Sequence, residues 1–582
     1  MEYKYVSEKN HLILLSLLKA YGIRKVIASP GATNITLVAS MQHDPYFEIF
    51  SCVDERSAAY MACGMAEQTG EPVVISCTGA TSAREYMPGL TEAYYRKLPV
   101  IAITSTQDVS RVGHLIAQVT DRSVRPKDIV VESVHLQTIK DSTDEWDCMI
   151  KTNKALSALT WHGGGPVHIN LTTTYSKDYS VQALPDVKKI NRYVRGDVFP
   201  PIPDGRVAVF VGAHPIWSDE ETNAINYFCS AHDAVVLCDH TSNYRGKYRV
   251  DSSLVGLQTK YTSPLLDIDL LIHIGEISGA YDGMAFRPKK VWRVAMDGEI
   301  RDQFKKLNAV FEMPEKFFFE HYVNGNRESS YLSAWKLENE RLRNLIPDLP
   351  FSNIWIAQQI SHRIPSASVL YLGILNSLRS WNFFETPATV AVHSNTGGFG
   401  IDGILSTLIG SSFGNTNQLH YAILGDLSFF YDINSLGNRH VGNNVRILVV
   451  NNGKGMEFRL INHNGSMFGD ETDKFIAAAG HHGNQSPKII KHWAEDLGYE
   501  YLFADTKDDF LKVADRFLTP SITEKPMVLE VFTTTENETG ALKQLEELVV
   551  DTKEILKNEV KSVVKNAVGQ KGINVIKNIL KK

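Results

Sequence analysis

Runs of five to seven residues, rich in Val and Ile, recur along the chain: Val73–Cys77, Pro99–Ser105, Arg206–Gly212, Leu270–Gly275 and Val445–Asn451. A strand can be apolar at nearly every position only where both of its faces are covered, as in parallel sheets flanked by helices. Glycine-containing loops and then helical patterns follow these runs, giving the rhythm strand, loop, helix. The expected fold class is α/β, with three doubly wound parallel-sheet domains and a C-terminal helical tail.

The expected boundaries follow from where the rhythm pauses. A first domain covers residues 1–185, with strands at Arg24–Ser29, Val73–Cys77, Pro99–Ser105 and Gly165–Leu171. A linker rich in Pro, Asp and Val spans 179–205. A central domain, 190–325, holds Arg206–Gly212, Ala234–Cys238 and Leu270–Gly275. A charged helical connector, 315–345, leads to a third domain at 345–540. Its expected strands are Val369–Leu372, Thr389–His393, Tyr421–Leu424, Val445–Asn451 and Met527–Phe532. The tail, 541–582, is basic: residues 551–582 hold eight lysines against three acids. Its apolar residues fall at helical spacing. It reads as a solvated helix, an oligomer contact or a weak anchor on an anionic membrane surface.

Composition excludes several classes. The 582 residues amount to about four ordinary domain lengths. With 43% hydrophobic and 22% charged residues the chain is expected to fold rather than stay disordered. A net charge of −6 argues against a nucleic-acid binder. The six cysteines show no CxxC pair and no zinc-ligand spacing, which suits reduced thiols and a cytoplasmic location. The polar N-terminus does not read as a signal peptide, so none is expected, and no run approaches the ~20 apolar residues of a spanning helix.

Chemistry concentrates in Gly425-Asp426-Leu427-Ser428 and, twenty-five positions after Asp426, in Asn451-Asn452 at the end of RILVVNN. Asp426 ends one strand and Asn452 the next, so both stand at the carboxyl edge of a parallel sheet, where ligands bind. The amides around Leu427 and Ser428 open a helix and suit an anion. A carboxylate, an amide oxygen and a backbone carbonyl near Lys454 and Gly455 form a half-shell of hard ligands fit for Mg²⁺. The plain alternative is a capped helix followed by a turn.

This arrangement resembles the thiamine diphosphate-dependent 2-oxo-acid decarboxylases and carboligases, whose motif is Gly-Asp, some 24–27 residues, then Asn-Asn. The resemblance implies thiamine diphosphate and Mg²⁺ as cofactors, with Asp426, Asn452 and Lys454 at the metal. It implies Gly425, Leu427, Ser428 and Gly455 along the diphosphate, and pyrimidine-binding, central and diphosphate-binding roles for the three domains. Val53-Asp54-Glu55-Arg56 matches the place of the family's catalytic glutamate, so Glu55 would hydrogen-bond the pyrimidine ring. Gly31 and Gly79 would line the cofactor loops. Ile401 would bend the cofactor, with the carbonyls around Gly398 and Gly400 receiving its aminopyrimidine.

The stretch SNTGGFGIDGILST, with Gly-Asp-Leu-Ser and Tyr431-Asp432-Ile433-Asn434, is similar to the menaquinone-pathway 2-succinyl-5-enolpyruvyl-6-hydroxy-3-cyclohexene-1-carboxylate synthase family. That family joins 2-oxoglutarate to isochorismate. It carries an arginine in its counterpart of the SPGATN loop and another where Thr396 stands, and neither is present here. Loss of two carboxylate clamps weighs against the same substrates.

Arg84, His114, Gln118, Arg379 and His393 are the candidate substrate contacts. No GxGxxG follows the RVAVFVG strand, so FAD is not expected. The resemblance implies a homo-oligomer with the active site between chains and a small-molecule 2-oxo acid and acceptor as ligands. Decarboxylation followed by acyl transfer is the reading preferred. A simple decarboxylase, the menaquinone-pathway synthase proper and a non-catalytic binding subunit are the alternatives.

Overall fold

The computed structural model of the protein describes residues 4–551, except 123–124, 281–284, 326, 462 and 482–485. The expected basic helix of the tail therefore lies outside the described residues from position 552 on. The chain forms two compact units. One comprises residues up to 197 together with 298–312; the other comprises 198–297 together with the described residues from 313 on.

In the first unit six strands form one sheet: β1 (Lys25–Ala28), β2 (Glu48–Ser51), β3 (Val73–Thr78), β4 (Val100–Thr106), β5 (Glu132–Leu136) and β6 (Val167–Thr172). Their order is β2-β1-β3-β4-β6-β5 and every pairing is parallel. The alternation of β4 shows why both faces are covered. Ile101 and Ile103 pack with Leu14, Leu15, Leu17 and Leu18 of the helix Lys9–Ala20. Val100 and Ala102 turn the other way, toward Ala58, Ala59, Ala62 and Ala66 of the helix Glu55–Thr69. The small residues of that helix let its neighbour approach closely, for a Cβ on Gly89 would stand 2.4 Å from the Ala59 Cβ. A further strand, β7 (Asn191–Val194), belongs to this unit.

The second unit opens with β8 (Val207–Val211), β9 (Val235–Cys238), β10 (Arg249–Asp251), β11 (Asp267–Ile274) and β12 (Arg287–Ala295), parallel in the order β10-β9-β8-β11-β12. β13 (Leu307–Glu312) lies in the first unit and pairs in parallel with β7. The remaining strands are β14 (Val369–Leu372), β15 (Ala391–His393), β16 (His420–Gly425), β17 (Val445–Asn451), β18 (Glu500–Ala504) and β19 (Met527–Phe532). Their parallel order is β15-β14-β16-β17-β19-β18. Numbered from its own first strand, this sheet reads 2-1-3-4-6-5, the winding of the first sheet repeated.

The three parallel sheets match the expected fold class. Several strands start one or two residues later than the sequence suggests, β6 at Val167 and β15 at Ala391 by two. Thr389 is not extended but sits in a turn after Pro387, where its hydroxyl meets Ser366 and the Ala367 N–H, and β15 begins only at Ala391. Among the described residues no helix is long and apolar enough to cross a membrane. All six cysteines are buried free thiols.

Candidate active site

β16 runs directly into the short helix Asp426–Tyr431, so the sheet delivers Asp426 to its carboxyl edge and the helix fixes the side chain there. Asp426 is 6% exposed. Burial pushes its carboxyl up to about 7, against the backbone N–H groups of Asn452, Asp426 and Leu427 that favour the anion. Its Oδ1 is buried with no hydrogen-bond partner. A buried carboxylate oxygen without a partner is costly, and a cation is what relieves it.

The two asparagines after β17 do different work. Asn451 turns inward: its Nδ2 donates to Glu530 Oε1 at 2.7 Å and its Oδ1 accepts the Gly453 N–H at 3.2 Å. The Tyr501 hydroxyl donates to the other Glu530 oxygen at 2.7 Å. Burial holds the Glu530 carboxyl above the usual range. Asn452 instead presents a buried Oδ1 that has no partner. Two orphaned oxygens, one acidic and one amide, thus stand at the ends of adjacent strands. This donor set fits a hard divalent cation. Among the described residues no group of three His, Cys, Asp or Glu side chains could hold a metal. The Lys454 ammonium is occupied by Asp473 at 2.5 Å, which it shares with Arg459, so any part Lys454 plays at a metal falls to its backbone. Gly455 donates its N–H to the Ala477 carbonyl and lies under the Phe458 ring.

The Ser428 hydroxyl donates to the Ile401 carbonyl and so ties the Gly-Asp turn to the glycine-rich loop before the helix Ile404–Gly414. In that loop Gly403 takes a φ of 78°, which suits glycine, while Gly398 has open space where a side chain would stand. A Cβ on Gly400 would meet Asp402 Oδ1 at 2.3 Å. Ile401 and Leu427 are half-buried.

In the first unit Glu55 opens the helix Glu55–Thr69, whose N-cap Asp54 accepts from the Ser57 hydroxyl at 2.6 Å. Glu55 is half-buried, and its charge adds to the burial that pushes the Cys77 thiol up to about 12. The Gly31 loop is anchored by Thr33, whose hydroxyl donates to the Ser105 carbonyl at 2.7 Å and whose N–H reaches Thr78 Oγ1 at 3.1 Å. Gly31 has no room for a side chain, since a Cβ would stand 2.7 Å from Thr78 Oγ1. Gly79 is equally confined, by the Arg122 guanidinium and the Ser105 carbonyl.

The candidate substrate residues are spread more widely. Arg84 is exposed and donates to the Asp121 carbonyl at 3.2 Å. His114 and Gln118 lie exposed in the segment after β4, Gln118 with a φ of 64°. His393 ends β15 against Tyr371, and burial lowers its basicity. Arg379 meets Glu457 through two bonds of 3.0 and 2.6 Å, so its fork is filled by an internal carboxylate. The pair lines a cavity of about 470 Å³ with Leu375, Asn382, Phe458 and His463. Glu457, Glu530 and Arg122 escaped the sequence reading. Glu530 carried a signal, since an acid inside the apolar run MVLEVF must find partners.

A family model described as thiamine pyrophosphate enzyme, N-terminal TPP binding domain, matches residues 11–124. The 2-succinyl-5-enolpyruvyl-6-hydroxy-3-cyclohexene-1-carboxylate synthase of Bacteroides fragilis is 29% identical over 565 residues, covering 93% of this chain and 98% of its own. The protein of that name from Bacteroides thetaiotaomicron is also 29% identical, over 564 residues, with the same coverage. That from Desulfotalea psychrophila is 27% identical over 532 residues, 88% of this chain and 96% of its own. Over most of its length the chain is thus similar to these synthases, and its N-terminal segment matches the thiamine pyrophosphate-binding domain model, which supports a thiamine diphosphate-dependent enzyme.

Proposed function

We propose that the protein decarboxylates a 2-oxo acid and transfers the remaining acyl group to an acceptor, using thiamine diphosphate and Mg²⁺. The observation that carries the reading is the pair of buried, partnerless oxygens, Asp426 Oδ1 and Asn452 Oδ1, at neighbouring strand ends. When bound, thiamine diphosphate supplies a carbon nucleophile for a 2-oxo acid and a sink for the electron pair released with carbon dioxide.

The chain's own residues then do the positioning. Asp426 and Asn452 would hold the metal, and the amides at Leu427 and Ser428 would face the diphosphate at a helix start. Ser428 keeps the Ile401 loop in register with that turn. Glu55 would move a proton at the pyrimidine ring. The surface near Glu55 supports a second copy of the chain as the partner that completes the site: Val53, Tyr60 and Met61 are exposed, Val53 at 76%. Apolar surface of this kind marks an interface. The buried free thiols suit the cytosol. The relatives' names point to a synthase, and acyl transfer rather than aldehyde release follows that analogy. The missing arginines at the SPGATN loop and at Thr396 argue for substrates other than those of that pathway.

The test is calorimetric titration of the protein with thiamine diphosphate, with and without Mg²⁺. It is followed by carbon dioxide release from pyruvate and 2-oxoglutarate, with and without candidate acceptors. Metal-assisted uptake and acceptor-dependent ligated product are expected, and Glu55→Gln should abolish carbon dioxide release. Absence of metal-assisted uptake, or release undiminished in Glu55→Gln, overturns the reading.

A further inference from the structure

The first sheet carries a cationic cavity that the cofactor reading does not use. It occupies about 430 Å³ and is bounded by Thr106, Thr120, Arg122, Arg125, Ser133 and Asn170, among others. These belong to the carboxyl-terminal parts of β4 and β6, to β5, and to the segment after β4 that carries His114 and Gln118. Parallel sheets bind ligands at this edge.

Arg122 is the unusual group. Its Nη2 donates to Asn170 Oδ1, while Nε and Nη1 are buried and have no hydrogen-bond partner. Among the described residues no acid pairs with it. Burial lowers its basicity to about 10, with Cys77 and Arg84 acting on it in opposite directions. Its Nη1 takes the space that a side chain at position 79 would fill, which only glycine leaves open. Arg125 lies beside it, donating to the Arg122 carbonyl at 3.2 Å, and among the described residues Glu132 offsets its charge. The two histidines facing the cluster are held below their ordinary basicity. His168 is pushed down to about 3 by burial and then by Arg125 and Arg122, and His135 is lowered chiefly by burial. Asp121 borders the cavity but is exposed. The Ser133 and Thr104 hydroxyls are engaged by the two His168 nitrogens, so the wall is rigid.

A buried guanidinium without an acid is expensive unless an anion joins it. From this cluster we infer that the cavity binds the oxyanion end, carboxylate or phosphate, of the enzyme's small-molecule substrate, with Arg122 as the specificity-determining residue. The oxyanion chemistry stands on the cavity alone; calling the ligand a substrate rests on the proposed function. With the two family arginines missing and Arg379 already paired, Arg122 is a cation still available to a substrate anion.

The two readings separate in binding experiments on the full chain without thiamine diphosphate or Mg²⁺. Calorimetry with 2-oxoglutarate, succinate, pyruvate and inorganic phosphate reads the cavity alone. Saturable binding of one of these is expected, weakened about tenfold or more in Arg122→Gln, as for loss of a charge-assisted bond. The same binding should survive in Glu55→Gln and Asp426→Asn. Dicarboxylates outcompeting phosphate assign a carboxylate, and the reverse assigns a phosphate. Should Arg122→Gln fail to fold, Arg125→Gln and Thr120→Val serve instead, with weaker binding expected in each. No binding of any anion by a chain that still takes up thiamine diphosphate overturns the inference and spares the function. Equal binding in Arg122→Gln and in the unaltered chain overturns it as well.

Discussion

Ser428 and Ile401 are joined by a hydrogen bond from the Ser428 hydroxyl to the Ile401 carbonyl, across twenty-seven positions of sequence. The bond couples the turn that presents Asp426 to the loop whose glycines leave room for a ligand. Ser428→Ala is expected to weaken thiamine diphosphate binding roughly five- to tenfold in the presence of Mg²⁺, the worth of one hydrogen bond. Tryptophan fluorescence titration measures it; unchanged affinity would show that the tie does not serve the cofactor.

Asp426→Asn keeps the size of the side chain and removes its charge. The gain in thiamine diphosphate affinity on adding Mg²⁺ should shrink by at least about tenfold. Paired titrations with and without the metal check this, and a full metal effect in the variant would move the metal elsewhere.

Arg379 and Glu457 are each 14% exposed and doubly bonded, so removing one strands the other. Arg379→Met should cost about 3 kcal/mol of stability, and Arg379→Met with Glu457→Leu less than that. Urea denaturation of the four proteins in a double-mutant cycle gives the coupling. A double variant as damaged as the sum of the two singles would mean that the pair is not coupled.

Glu538 sets a pH dependence. It is 1% exposed and accepts from the Asn353 N–H at 3.0 Å and the Thr533 hydroxyl at 2.8 Å. Burial nevertheless pushes its carboxyl up to about 7, from an ordinary 4.5. Between those values the folded chain binds more proton than the unfolded one. The contribution is complete below about pH 4.5 and falls as pH rises through 7, by an amount on the order of 3 kcal/mol. Glu538→Gln should therefore lose melting temperature relative to the unaltered protein less at pH 8 than at pH 5. Parallel melting curves at the two pH values would refute this if the gap between the proteins did not change.

What could be read beforehand follows burial. β3, β4, β6 and β17 are buried at every position and were legible as apolar runs. β2 and β18 border their sheets, are largely half-buried or exposed, and left no such run in EIFS or EYLFA. Asp426 and Asn452 were legible because motif spacing records two strand ends. The division of labour between Asn451 and Asn452 was not, because it depends on Glu530, a distant residue on the adjacent strand. Arg122 was hidden for a like reason: TDRSVRP has no pattern, and only the fold brings that side chain against Gly79 and Asn170.

The repeated winding carries different chemistry at corresponding strand ends. The third strand of the first sheet ends in Thr78 and is followed by Gly79; the third strand of the last ends in Gly425 and is followed by the acid Asp426. On the function proposed above, the first turn would face an uncharged ring and the second a metal-bridged diphosphate. A bipolar ligand can be read end by end, and exchanging the two strand-end turns should abolish its recognition at both.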